Sequence, residues 1–250
     1  MEKTNNIFLT ILIPAHNEEA GISSTCEAIM NTFGSKGMDD YEILIVNDNS
    51  SDQTEDVLKG LCVKYKTIRY INNTPPHGFG FAVRKGLKEF RGEAVAIVMA
   101  DLSDSPEDIV KYYQELKNGA ECVFGSRFIK HSKVYDYPIH KYVLNRLGNW
   151  FIKMLFSLSY NDTTNAFKAY RRQVIVGLQP LLSHHFNLTV EIPLKAIVRG
   201  FHYVVVPISW TNRKAGVSKF KIKEMGSRYL FIIFYVWLEK TFSMGDYKRL

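Results

Sequence analysis

The chain has 250 residues, with 32 Lys+Arg against 25 Asp+Glu, a formal net charge of +7 and 46 % hydrophobic residues. That much apolar side chain excludes a disordered chain, and 16 Gly and 8 Pro without a period exclude a collagen-like one. The size fits one large domain or one domain with an appendage, and the basic balance points to an anionic partner: phosphate, nucleic acid or an acidic membrane surface.

Residues 7–13 form a β-rich run that Pro14 is expected to end. Residues 18–33 read as a helix, with Ile22, Cys26 and Ile29 on one face. Residues 42–46 are a second buried strand, 52–65 a helix with Val57, Leu58, Leu61 and Tyr65 at helical spacing, 67–71 a short strand and 80–90 a helix. Residues 94–99 are a continuous apolar strand. Pro106 suits the first turn of a helix over 107–117, and 121–124 is one more strand. After Gly125 the pattern changes. Residues 126–138 are basic and loop-like, 139–158 a long helix, 161–165 a polar turn cluster and 187–199 a helix that Pro193 threatens to kink. A strand over 202–210, a polar loop over 211–219 and a final apolar helix over 222–242 complete the chain.

Cys26, Cys62 and Cys122 are odd in number and far apart, against a disulfide framework or a cysteine zinc site, so a reducing, cytoplasmic setting is expected. The first six residues carry no secretory leader pattern. The longest apolar run, residues 229–238, is half of the roughly 20 residues needed to cross a bilayer.

Continuous apolar strands separated by helices indicate a parallel sheet covered on both faces. In such sheets the ligand sits outside the carboxyl ends of the strands, so chemistry is sought at 14–18, 47–50 and 101–103. Asp48 follows its strand directly. Capping of the next helix explains Ser51 or Asp52 but explains Asp48 poorly, so Asp48 is expected to bind a ligand. Asp101 lies too far upstream to cap the helix at Pro106, and a carboxylate there can hold a hard cation on phosphates. His77-Gly78-Phe79-Gly80 is either a phosphate cradle or a flexible turn. Arg127 follows a buried strand at the same edge, where a guanidinium grips phosphate bidentately, whereas the lysines after it also fit a solvated basic face. The loop from Arg213 to Lys219 carries three cations, a glycine and a hydroxyl, and either closes over phosphates or is a surface turn. Glu191, inside an apolar helix, is expected to have a cationic partner, and His184-His185 reads as a turn.

The stretches Ile13-Pro14-Ala15-His16-Asn17-Glu18-Glu19, Val46-Asn47-Asp48-Asn49-Ser50-Ser51-Asp52-Gln53-Thr54, Gly78-Phe79-Gly80-Phe81-Ala82, Ala100-Asp101-Leu102-Ser103-Asp104-Ser105-Pro106-Glu107, Gly125-Ser126-Arg127-Phe128, Asp162-Thr163-Thr164-Asn165-Ala166-Phe167-Lys168-Ala169-Tyr170 and Arg213-Lys214-Ala215-Gly216-Val217-Ser218-Lys219 resemble, in this order, glycosyltransferase family 2. Within it they are similar to the dolichyl/polyprenyl-phosphate mannosyltransferase group, soluble subtype. The resemblance implies an α/β GT-A (Rossmann-like) fold, a mainly parallel sheet flanked by helices, with residues 1–220 as the transferase domain and 221–250 as an amphipathic or apolar helix that meets a membrane or partner. It implies inverting transfer from a nucleotide-sugar donor (GDP-mannose or a UDP-sugar) to a polyprenyl phosphate. The implied setting is peripheral, on the cytoplasmic face of the membrane, with a homo-oligomer or membrane partner protein allowed and no nucleic acid.

By the same resemblance Pro14, Ala15, Asn17 and Glu18 hold base and ribose, Asp48 reads the base, and Gly80 and Ala100 line the donor. Asp101, with Ser103 beside it, helps bind Mg²⁺ or Mn²⁺. Arg127 and Lys141 hold the acceptor phosphate, and Arg213, Ser218 and Lys219 close over the phosphates. Asp101, Arg127, Arg213 and Lys219 are thus the expected catalytic set. Two positions depart from the pattern. Met99 stands where the family has the first Asp of its metal motif, and Ser103 replaces a residue that is often Gln. A phosphate acceptor is already anionic and needs no general base. A sugar-hydroxyl acceptor would need one, with Asp104 the nearby carboxyl, and Met99 also leaves room for a non-catalytic nucleotide-sugar-binding subunit.

Overall fold

The computed structural model describes residues 7–212 and 222–249, with side chains of the last helix described from residue 226. The run at 7–13 becomes β1 (Leu9–Ala15), followed by α1 (Ile22–Ser35), β2 (Tyr41–Asn47), α2 (Thr54–Lys64), β3 (Ile68–Asn72), α3 (Phe79–Glu89), β4 (Ala94–Ile97), α4 (Pro106–Lys117) and β5 (Cys122–Ser126). The second half adds β6 (Lys133–Tyr135), α5 (Ile139–Phe156), β7 (Lys168–Arg171), α6 (Arg172–Gly177), α7 (Leu188–Val198), β8 (Tyr203–Pro207), β9 (Ser209–Thr211) and α8 (Ile222–Phe242). Seven strands form one sheet in the order β3-β2-β1-β4-β7-β5-β8, and β6 pairs with β9 separately.

Alternation along each strand sends side chains to two cores. Leu9, Ile11 and Ile13 join α1, α2 and α4 on one face, while Leu12, Leu44 and Val46 join α3, α6 and α7 on the other. Every residue of β1 and β2 is buried, as expected of central parallel strands.

Pro14 does not end β1. The Leu12 carbonyl accepts from Val98 and the Ala15 carbonyl from Asp48, so alternate residues address β4 and β2. Pro14 shares the parity of Leu12, and its ring nitrogen faces the β4 side beyond Ile97, where that strand has ended and no N–H is needed.

Four elements were not expected. Residues 126–138, read as loop, contain β6; β7 and α6 follow the polar cluster; and the strand at 202–210 breaks at Ile208 into β8 and β9. β7 is antiparallel to both β4 and β5. Since β5 runs up to the carboxyl edge and β7 runs down from it, residues 127–167 begin and end at that edge. The inserted segment is therefore built onto the ligand side of the sheet.

α7 continues through Pro193. The proline has no N–H for the carbonyl of Thr189, and the Lys168 ammonium donates to that carbonyl instead, at 3.3 Å. Glu191 has its expected partner: its carboxylate accepts from Lys195 Nζ and from the Leu182 and Ser183 amides, each at 2.7 Å. α8 contributes Ile232, Ile233 and Val236 to a third core with Ile152, Phe156, Val190 and Leu194. Its other side leaves Leu230, Phe231, Phe234, Leu238 and Phe242 exposed. Among the described residues no helix is long and apolar enough to cross a membrane.

Candidate active site

The carboxyl ends of β2, β1 and β4 lie side by side, and just past each stands a non-glycine residue with positive φ: Asn49 at 54°, Asn17 at 56° and Leu102 at 54°. Asn tolerates this conformation, but Leu does not, at a cost on the order of 1–2 kcal/mol. Such strain persists only where the surroundings hold it, and it collects at functional edges.

The loops after β1 and β2 are stitched together. Asn17 donates its amide N–H to Ser50 Oγ at 3.0 Å and accepts from the Ser51 amide at 2.7 Å. The Glu18 amide donates to Thr54 Oγ1 at 2.9 Å. Pro14 and Ala15 are the buried end of β1 beneath this seam, whereas Asn17 is exposed and Glu18 half-buried.

Asp48 is buried, and its carboxylate accepts from the Gly78 amide at 2.7 Å and from Asn73 Nδ2 at 2.8 Å, with His77 Nδ1 at 3.0 Å. It therefore fixes the loop that leads into α3. Gly80 sits one residue into that helix, and a Cβ there would stand 2.6 Å from the backbone oxygen of His184. Phe79 stacks on Phe186 and Phe81 on His184, at 4.3 and 4.5 Å between ring centroids. The glycine thus admits the 184–185 backbone against the helix. Gly80→Ala is expected to cost about 1–3 kcal/mol through overpacking, read as a lower midpoint in urea with an unchanged slope.

In the loop after β4, Asp101 Oδ1 accepts from the Ser103 amide at 3.1 Å. The Ala100 carbonyl is taken by Thr25 Oγ1 at 2.7 Å, which ties the loop to α1. Ser103 is buried and its carbonyl accepts from the Thr211 amide at 3.1 Å. Asp104 is buried too, and its carboxylate accepts from the Met99 amide at 3.3 Å. Burial, with a lesser push from Asp101, raises the Asp104 carboxyl to about 7 against pulls from the Met99 N–H and Arg127.

Between roughly pH 4 and 7 the folded protein therefore holds a proton on Asp104 that the unfolded chain has released, so this group's contribution to stability falls as pH rises through that window. Asp104→Asn, which keeps an acceptor for the Met99 amide, is expected to lose less Tm than the parent between pH 5 and 7.5. Calorimetry at the two pH values checks it.

Arg127 leaves β5 into a buried pair. Its Nε and Nη2 meet the two oxygens of Asp162 at 2.9 and 2.7 Å, and its own amide donates to Asp162 Oδ2 at 2.9 Å. Burial works against the guanidinium's charge, but Asp162 more than offsets it and the pKa moves up. Its carbon also lies 5.4, 5.6 and 5.8 Å from the rings of Phe128, Tyr137 and Trp210. Tyr160 Oη bridges the carbonyls of Gly125 and Asp162 at 2.9 and 2.7 Å. Lys168, fully buried, donates to the carbonyls of Thr163, Asn165 and Thr189. Desolvation pulls its ammonium down to about 7, and Asp162 pulls the other way.

The anticipated bidentate grip of Arg127 is thus made, but on a carboxylate of the chain itself. Lys141 is exposed on the first turn of α5, whose Tyr142 packs edge-on against Phe128 at 5.7 Å. Arg213, Ser218 and Lys219 lie outside the described residues.

Asp101, Ser103 and Arg127 are brought together through β9, because Thr211 holds Ser103 while the Trp210 indole lies beside the Arg127 guanidinium. Asp48 sits at the far end of the same edge, four strand steps of about 4.8 Å from β5. The residues without an assigned role in the sequence are Asp162, Lys168, Tyr160, Tyr137 and Trp210. Asp162 carried a signal, since an Asp in a chain that returns to a buried strand needs a cation, and Arg127 is the cation at that edge.

Among the described residues no three His, Cys, Asp or Glu side chains gather as a metal site. A divalent ion held by one carboxylate, substrate phosphates and water fits what Asp101 offers, and Met99 adds no oxygen.

The family model for glycosyl transferase family 2 matches residues 10–177. A dolichol-phosphate mannosyltransferase of Pyrococcus furiosus is 30 % identical over 219 residues, which is 86 % of this chain and 60 % of that protein. A polyprenol monophosphomannose synthase of Mycolicibacterium smegmatis is 28 % identical over 234 residues, covering 87 % of this chain and 86 % of its own. Among solved structures, glucosyl-3-phosphoglycerate synthase from Mycobacterium tuberculosis, in complex with Mn²⁺, UDP and glucosyl-3-phosphoglycerate, superposes with a TM-score of 0.67 at 17 % identity over 93 % of this chain and 79 % of that one. That likeness is one of fold.

Proposed function

This chain belongs to glycosyl transferase family 2 and is a glycosyltransferase, and we propose that it moves a sugar, with inversion, from a nucleotide-sugar donor to a polyprenyl phosphate. The observation that carries the lipid acceptor is the surface beside Arg127. From Tyr137 to Asn161 the chain holds no Asp or Glu. In that stretch α5 leaves Ile139, Val143, Leu144, Leu147, Trp150 and Met154 exposed, next to Lys141 and Lys153. A basic, acid-free helix with exposed aliphatic and Trp side chains suits an anionic bilayer surface. An acceptor whose phosphate lies at headgroup level requires the site to come that close.

The chemistry asked of the chain is modest. Asp101 would hold the divalent ion on the donor diphosphate; when bound, that ion offsets the charge that develops on the departing nucleoside diphosphate. The residues near Arg127 and Lys141 orient the acceptor phosphate, which is anionic at neutral pH and attacks without a base. Alignment of the two substrates and preorganised charge then supply most of the rate. The donor end of the site would use Asn17, Glu18 and the Asp48–Gly78 loop for base and ribose. Arg213, Ser218 and Lys219 remain as proposed phosphate contacts. A hydroxyl acceptor would call on Asp104, which is buried and bound to the Met99 amide.

Transfer of radiolabelled sugar into organic-extractable polyprenyl phosphate, donor by donor, tests the reading. Label appearing only in water-soluble glycan would favour the hydroxyl acceptor, and no label from any donor would favour a binding subunit. For the peripheral, cytoplasmic-face setting, flotation with anionic vesicles at low salt is expected to carry the protein up. Leu147→Glu/Trp150→Glu is expected to weaken that binding at least tenfold, since each buried apolar side chain supplies about 1.5–3 kcal/mol. Unchanged flotation would move the membrane contact elsewhere, for instance to α8.

A further inference from the structure

We infer that Trp210 and Tyr137 form the surface on which the transferred hexosyl ring rests, between the Asp101 loop and Arg127. The inference rests on the function proposed above and assigns the sugar subsite within it.

Trp210 is the middle residue of β9, and its main chain is held from two sides. It pairs with Val134 of β6, and it bridges to Asp104, while the next amide, Thr211, donates to the Ser103 carbonyl at 3.1 Å. Tyr137 lies two residues past β6, and the two rings meet at 4.8 Å between centroids with their planes 48° apart. The Arg127 guanidinium carbon is 5.6 Å from one ring and 5.8 Å from the other. Both residues stay partly exposed.

In the transfer, the anomeric carbon is bonded to the donor diphosphate and must face the acceptor phosphate. The diphosphate end lies at Asp101 and the acceptor end at Arg127. The aromatic pair spans the edge between them. A pyranose presents one face of C–H bonds and a rim of hydroxyls, and the electron-rich face of an indole or phenol attracts polarised C–H groups while it excludes water. Asp162 takes Arg127 Nε and Nη2, and the guanidinium also hydrogen-bonds the Tyr137 hydroxyl, which fixes that ring at the acceptor end of the pair.

The test compares binding of GDP-mannose with GDP, and of UDP-glucose with UDP, by calorimetry without lipid. In the parent the sugar adds affinity to the nucleotide it prefers. In Trp210→Ala that increment is expected to vanish, on the order of tenfold in Kd, the size of one aromatic contact, with the nucleoside diphosphate bound as before. Trp210→Phe is expected to retain most of the increment, which guards against a folding defect in the alanine variant. In a Trp150→Phe/Trp237→Phe chain, Trp210 is the sole indole, and its emission is expected to change with the sugar nucleotide more than with the diphosphate. Equal weakening of sugar nucleotide and diphosphate in Trp210→Ala, or a Trp210 emission that ignores the sugar, would overturn the platform and leave the functional reading intact. Failure of the parent to bind any of the four would overturn both.

Discussion

Asp101→Ala is expected to abolish transfer, with a loss in kcat of roughly 10²–10³-fold or more, the range seen when one preorganised charge-stabilising group is removed from a site. By the resemblance the metal motif would pair two carboxylates, and with Met99 at the first position Asp101 is the one that would remain. If Asp101 holds the ion, the remaining oxygen ligands would come from the donor phosphates and water. The variant should keep its fold, since the Asp101 side chain is partly exposed and its bond to the Ser103 amide is one of several that hold this loop. Circular dichroism and Tm should therefore match the parent while label transfer disappears. Turnover of Asp101→Ala unchanged from the parent at the same saturating Mg²⁺ or Mn²⁺ would remove Asp101 from the metal role. The converse change, Met99→Asp, is expected to lower the metal concentration needed for half-maximal activity. An unchanged requirement would mean that the degenerate motif holds its ion some other way.

The parallel half of the sheet was legible because its signal is local. Each of β1, β2 and β4 is an apolar run closed by polar residues, with Asp48 directly after β2 and Asp101 four residues past the end of β4. β7 was not legible for the opposite reason. Lys168-Ala169-Tyr170-Arg171 alternates like an exposed strand, yet Lys168 is fully buried, because its ammonium serves three carbonyls, among them the one orphaned by Pro193. That role exists only once residues 163–165 and α7 are folded beside it. The same holds for Arg127. The sequence places a guanidinium at the ligand edge but cannot say that Asp162, 35 residues later, will occupy its fork. Gly80 read equally well as a phosphate cradle or a turn, and the structure adds a third reason, the close approach of the 184–185 backbone.

The Arg127–Asp162 pair sets the last expectation, because it separates stability from acceptor binding. Both side chains are buried, and the carboxylate is fully enclosed. Arg127→Ala would leave Asp162 charged and unpaired in the interior, at a cost of about 3–5 kcal/mol. In a chain of this size that corresponds to a fall in Tm on the order of 10 °C. Asp162→Ala strands the guanidinium in the same way and also removes the acceptor for the Arg127 amide, so it should be at least as damaging. The double change to Met and Leu removes both charges together and should recover much of the loss, as replaced buried pairs do. Lys141→Ala touches no such network. It is exposed, and its removal should leave Tm within about 1 °C, the scale of a surface substitution. If Lys141 meets the acceptor phosphate, the variant should raise KM for the lipid phosphate about tenfold or more, the worth of one charge-assisted contact, with KM for the donor unchanged. Thermal melts and two-substrate kinetics on the same preparations divide the outcomes. An Arg127→Ala protein that melts like the parent would show that the pair carries little stability and return Arg127 to a direct hold on phosphate. A Lys141→Ala protein with both Michaelis constants unchanged would take that lysine out of the acceptor site.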